Sequence, residues 1–182
     1  MNGWRIAIFI TVVLSVWGLM HAYVFWRLAT IPWIAAHMSG RGLVMAAVVL
    51  WLSYPLARML NSWNLETVGV PLEFAAAVWM GILFLTVAAL LVVDLATIGG
   101  LAFSQVAPQV RAVAVLVAGL FAVIGIVQGS RPPVVRNHEV RLAALPPERD
   151  GLTLVAISDL HLGTLKGKRW LTNLIGRVID LK

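Results

Sequence analysis

Apolar residues run almost unbroken between widely spaced arginines over the first 130 positions, and the pattern then changes to short, mixed segments. A bilayer core about 30 Å thick takes about 20 apolar residues in a helix, because lipid leaves each segment to satisfy its own backbone hydrogen bonds. Four stretches meet or approach that length. They lie between Arg5 and Arg27, between Arg41 and Arg58, from about Phe74 to Leu95, and between Arg111 and Arg131, the second being the shortest. Turns or helix starts are expected in the gaps, at Ile31-Pro32, Ser39-Gly40-Arg41-Gly42, Val70-Pro71, Gly99-Gly100 and Ala107-Pro108. Residues 1–130 are therefore expected to form an α-helical transmembrane bundle of four helices. A cleaved signal peptide is a poor reading of the first stretch, which is longer than an h-region, has no small-x-small site close behind it and is followed by three more candidate spans.

Composition sharpens the boundary near residue 130. The chain is 60% hydrophobic and 12% charged, with a mean hydropathy of +0.91. Residues 1–130 hold five arginines and three acids, whereas residues 131–182 hold nine bases and five acids. The net charge of +6 is too small and too scattered for a nucleic-acid surface, and no nucleic-acid partner is expected. With no cysteine, any metal has to be held by histidine and carboxylate.

Four spans put both termini on one side. That side collects Arg5, Arg58, Arg131, Arg136 and Arg141 against Arg27, Arg41 and Arg111, which favours a cytoplasmic C-terminal part and an inner-membrane, multi-pass protein. Inside the spans, His21 and Asp94 are the polar residues that could mark a proton or ion path. The plainer reading places Asp94 near the headgroups at the end of its span and leaves His21 as an interhelical residue without an acidic partner. Gly125 and Gly129 form a GxxxG, a weak packing signal, and Trp4, Trp26, Trp33 and Trp63 read as interface anchors.

Residues 131–151 form a polar linker with two Pro-Pro pairs, and Val134 to Ala143 has the mix expected of an edge strand. His138 and Glu139 are adjacent, so on a strand they face opposite ways and do not serve one metal. The run Leu152 to Ile157 is short and continuously apolar, as in a strand buried on both faces of a sheet. Its carboxyl end, where open α/β sheets bind ligands, delivers Asp159 and His161. Two apart in extended chain, this carboxylate and imidazole share a face and can converge on one cation, and Gly163 permits a tight turn after them. From about Lys168 to Lys182, Trp170, Leu171, Leu174, Ile175, Val178 and Ile179 recur at helical spacing, which makes a strand and helix of a βαβ unit. A P-loop is excluded, because Leu162 and Arg169 stand where glycine and Ser or Thr are needed around Gly167-Lys168.

With Ile-Ser-Asp-Leu-His-Leu-Gly at 157–163, and with Leu145-Pro146-Pro147 and Asp150-Gly151-Leu152 before it, the sequence resembles the calcineurin-like metallophosphoesterases, particularly bacterial members with an N-terminal membrane region. The likeness covers about residues 134–182. It implies an α/β sandwich that binds two divalent metal ions (Mn, Fe or Zn), with Asp159 and His161 as ligands of the first and no other catalytic residue in these positions. The family's further motifs, Gly-Asp-x-x-Asp, Gly-Asn-His-[Glu/Asp], a lone His and Gly-His-x-His, are absent from the 182 residues. Two ligands cannot hold a two-metal centre, so the expectation is an N-terminal fragment of a longer enzyme, inactive by itself.

The domain reading is thus a transmembrane domain at 1–130, a linker with an edge strand at 131–151, and the start of a metallophosphoesterase domain at 152–182. The expected function is a membrane-anchored phosphoesterase that cleaves a phosphomonoester, phosphodiester or pyrophosphate bond with a metal-activated water. Its partners would be the lipid bilayer and a phosphate-ester substrate, either lipid-linked or soluble. The alternative is a small non-enzymatic membrane protein with a partner-binding or degenerate tail, in which Asp159 and His161 are an ordinary polar turn.

Overall fold

The computed structural model describes residues 3–141, 146–160, 162–163 and 167–181. Contacts divide the chain into two units, Met1–Gly129 and Ser130–Lys182.

In the first unit, helices α1 (Gly3–Leu28), α3 (Gly40–Ser62), α4 (Glu66–Ala96) and α5 (Ala107–Gly129) are each long and apolar enough to cross a membrane. A short α2 (Pro32–His37) occupies the connection between α1 and α3, its proline in the first turn, where the missing N–H has no helical partner to lose. Ser39 caps α3 by accepting from the Gly42 N–H. The four spans carry many exposed large apolar side chains, such as Leu19, Val44, Phe84 and Leu116, as surfaces bathed in acyl chains should.

Two boundaries differ from the sequence expectation. α3 continues past Arg58 to Ser62, and α4 begins at Glu66, eight residues before Phe74, running through Val70-Pro71, where a turn or helix start is expected. The extension has a physical cause in side-chain pairing. Glu73, buried, accepts from Asn61 and pairs with Arg58 at 3.3 Å, so the start of α4 is fastened to the end of α3. Gly69 permits that approach, because a Cβ there would collide with Asn61 Oδ1 and press on its backbone N.

α4 is the central helix, packing against α3, α5 and α1. The core joins Val24 and Phe25 of α1, Leu43 of α3, and Leu83 and Leu90 of α4. Only the C-terminal half of α1 takes part, since residues 3–16 are exposed along their whole length. Trp4, Trp26, Trp33 and Trp63 lie exposed at or near helix ends, the position of interface anchors.

In the second unit, the 3-10 turn Pro147–Arg149 and Gly151 at φ +79° lead into residues 152–160, which are non-helical. The expected strands do not form a ladder. Among the described residues no strand is present, and Leu152–Ile157, expected to be buried on both faces, is exposed, Leu154 at 87%. A strand exists through paired backbone N–H and C=O groups. Of the expected edge strand, Val134 to Ala143, residues 134–137 line the same cleft without a backbone hydrogen bond to 153–158, and 142 and 143 lie outside the described residues. The expected helix does form, as α6 (Lys168–Ile179), burying Leu174 and half-burying Trp170, Leu171 and Val178, while Ile175 and Ile179 stay half-exposed. Arg177 donates to the Pro133 carbonyl at 3.4 Å and holds α6 to the start of this unit.

Candidate functional site

The 152–158 segment, residues 133–137 and α6 enclose a cleft of about 430 Å³, with Ser158 on its wall. Asp159 follows immediately. Its φ of +53° places it in the left-handed region, which aspartate enters more readily than most non-glycine residues. At the end of the non-helical segment Asp159 is exposed. Among the described residues its carboxylate makes no hydrogen bond or ion pair, so both oxygens are open to a cation. His161, its expected companion, lies outside the described residues. Glu139 is occupied by Arg141 at 3.3 Å, both side chains being largely in solvent, and His138 is exposed, in keeping with a solvated face rather than a metal site.

The membrane unit holds a second polar cluster. Asp94, near the end of α4 as expected, is buried among side chains. Its Oδ2 accepts from Arg27 Nε at 2.6 Å and from the Tyr23 hydroxyl at 2.7 Å, and its Oδ1 accepts from Arg111 Nε and Nη2 at 3.2 and 3.0 Å. Arg111 also donates to Thr30 Oγ1 and to the Gly99 carbonyl. Gly100, at φ +94°, makes the room, since a Cβ there would stand 2.8 Å from Arg111 Nη2. One carboxylate thus joins the end of α1, the end of α4 and the start of α5. Both of its oxygens are taken by guanidinium groups, so the cluster is a clamp between helices and offers a passing cation no vacant ligand.

His21 is likewise saturated. Its Nδ1 bonds the Trp17 carbonyl at 2.8 Å and its Nε2 accepts from Trp79 Nε1 at 3.0 Å, which fixes the proton on Nδ1. His21 is thus an interhelical residue without an acidic partner, as expected, and its partner on α4 is an indole that the sequence pattern does not point to. The signal for the Asp94 clamp was present in the topology, because Arg27 and Arg111 border the same connections as Asp94, but nothing in the local pattern stated which of them would turn inward.

Over 68 residues the chain is 35% identical to a transmembrane protein with metallophosphoesterase domain from Danio rerio, covering 37% of this chain and 16% of that protein. A Bos taurus protein of the same description is 39% identical over 57 residues, covering 31% of this chain and 13% of the relative. The likeness points to the metallophosphoesterases. The chain spans about one sixth or less of the length of these curated relatives. No family model matches it, and no solved structure does.

The donor set sets a limit on the metal chemistry that this likeness brings. Among the described residues no group of three or more His, Cys, Asp or Glu side chains could hold a metal ion. Asp159 suits a divalent ion as a single oxygen donor. The described residues do not supply a two-metal centre.

Proposed function

We propose that this chain carries the membrane part and the opening metal-binding segment of a membrane-anchored metallophosphoesterase. On this reading residues 1–130 anchor the protein, 131–151 link, and 152–182 begin an α/β metallophosphoesterase domain of the calcineurin-like kind. Asp159 and His161 are its first metal ligands. The observation that carries the reading is Asp159 itself: an exposed carboxylate without a partner among the described residues, on a backbone of positive φ at the end of an apolar non-helical segment, two residues before a histidine. The four apolar helices and the transmembrane relatives support the anchored form. When bound, two divalent ions supply a water nucleophile and charge stabilisation for attacking and leaving oxygens. The substrate class is a phosphate ester.

The test uses the protein with its full metallophosphoesterase domain. Asp159→Asn and His161→Ala should each abolish Mn-dependent hydrolysis of a bis-aryl phosphodiester while membrane insertion is unchanged. Full activity in both variants removes these residues from the mechanism, and a parent protein without metal-dependent hydrolysis favours the non-enzymatic membrane protein. The 182 residues alone should show no metal-dependent hydrolysis above buffer.

A further inference from the structure

A groove of about 510 Å³ runs between α1 and α3, within the range of sites that hold small ligands. Its walls are almost wholly apolar, formed by Gly18, Ala22 and Trp26 on one side and Val44, Ala47 and Trp51 on the other. Small residues on both helices leave the space. At the inner end Gly18 lies against the Trp51 indole, where a Cβ would stand 3.5 Å from Nε1, and Trp17 donates to the Trp51 carbonyl at 3.2 Å. At the outer end the groove opens between Ala29 and Gly40, where the two helices meet the connection that joins them. From Gly18 to Ala29 the helical rise is about 16 Å. Half of a hydrocarbon core is about 15 Å. The groove is therefore one leaflet deep.

Charge at its mouth is one-sided. The connections at this end carry Arg27, Arg41 and Arg111 against the single acid Asp94. Arg27 and Arg111 are engaged by Asp94, and the Arg27 guanidinium carbon sits 4.0 Å from the ring centroid of Trp26, a wall residue. Arg41 follows Gly40 directly, is exposed, and has no ion pair among the described residues. We propose that this groove is a binding site for one anionic glycerophospholipid, an acyl chain lying along Gly18 to Ala29 and the phosphate held at Arg41. The inference rests on reading the four helices as membrane-spanning and is independent of any phosphoesterase activity.

The 182 residues contain no cysteine, which allows a direct test in them. Val48→Cys, on the groove wall, and Leu116→Cys, exposed on α5 about as far from its helix end, each receive a bimane fluorophore in nanodiscs. Quenching is titrated with brominated phosphatidylglycerol and brominated phosphatidylcholine. One arginine beside an anionic headgroup corresponds to about a fivefold preference. Bimane at Val48→Cys should be quenched at about fivefold lower mole fraction of the anionic lipid. At Leu116→Cys the two lipids should be equal, and Arg41→Gln should remove the preference while Arg41→Lys keeps it. Val44→Cys, on the same wall, serves if Val48→Cys fails to fold. Equal behaviour at both label sites means ordinary annular lipid and overturns the proposal, as does a preference that survives Arg41→Gln or a groove label that no brominated lipid quenches.

Discussion

Replacing Asp94 with asparagine should loosen the bundle by more than any surface ion pair could account for. The substitution keeps the shape of the side chain and removes the charge that two guanidinium groups share. Arg27 and Arg111 are then left buried, with side-chain exposures of 10% and 5%, and facing one another without a counter-charge. Removing one partner from a buried ion pair costs about 3–5 kcal/mol. Average interhelical hydrogen bonds in membranes contribute only about 0.6 kcal/mol, so the lower end, about 3 kcal/mol, is the working figure. The internal control is Arg58→Ala, whose side chain is 64% exposed and whose pair with Glu73 should contribute no more than about 1 kcal/mol. Both are measured by reversible unfolding in mixed micelles titrated with a denaturing detergent. The reasoning makes a further demand, because the cost comes from an uncompensated charge rather than from a lost bond. Asp94→Asn combined with Arg111→Gln should be more stable than the sum of the two single losses by about 1 kcal/mol or more. If Asp94→Asn unfolds within about 0.5 kcal/mol of the parent, or if the two losses simply add, the clamp does not hold the bundle.

Gly100→Val should act on the same clamp from outside it, by forcing a branched side chain into positive φ and against the Arg111 guanidinium, with a loss of about 2 kcal/mol in the same unfolding assay; a neutral result would show that the α4–α5 turn adapts freely. Trp79→Phe removes the donor to His21 Nε2 and should cost about 1 kcal/mol, and His21→Phe in that background should cost less than it does alone. If the C-terminal part is cytoplasmic, cysteines introduced at Gly3 and Ser130 should react with an impermeant maleimide only from the cytoplasmic face and one at Met38 only from the opposite face. The reverse pattern inverts the topology.

The four spans were legible because lipid demands long apolar runs and the arginines mark their ends. Less legible was the length of α4. Pro71 and the polar start at Glu66 argue locally for a break, whereas the buried bond from Asn61 and pair with Arg58 at Glu73 decide for a helix, and those partners lie in another segment. Asp94 teaches the same lesson. Its place near a span end is legible in the sequence, but its burial depends on two arginines that are 67 and 17 residues away in sequence. The amphipathic spacing of α6 could be read directly, since a helix satisfies its own backbone. Leu152–Ile157 could be read for apolarity but not for pairing, because a strand's hydrogen bonds belong to its neighbours. At the candidate site Asp159 stands out by its place after an apolar run and two residues before a histidine, while its left-handed backbone is not foreseeable from the Asp-x-His spacing.

The uneven engagement of α1 gives the membrane unit a stiff half and a compliant half. From Trp17 onward α1 is locked by indole, imidazole and guanidinium contacts; from Gly3 to Val16 every residue is exposed. Such a helix stays helical in a bilayer, yet its free half can lean like a reed rooted at one end. Lateral pressure or a change in bilayer thickness will therefore be felt first as tilt of that half, while the Asp94 end keeps its register. Helix orientation sensed at Trp4 should consequently follow lipid chain length far more closely than orientation sensed at Trp26.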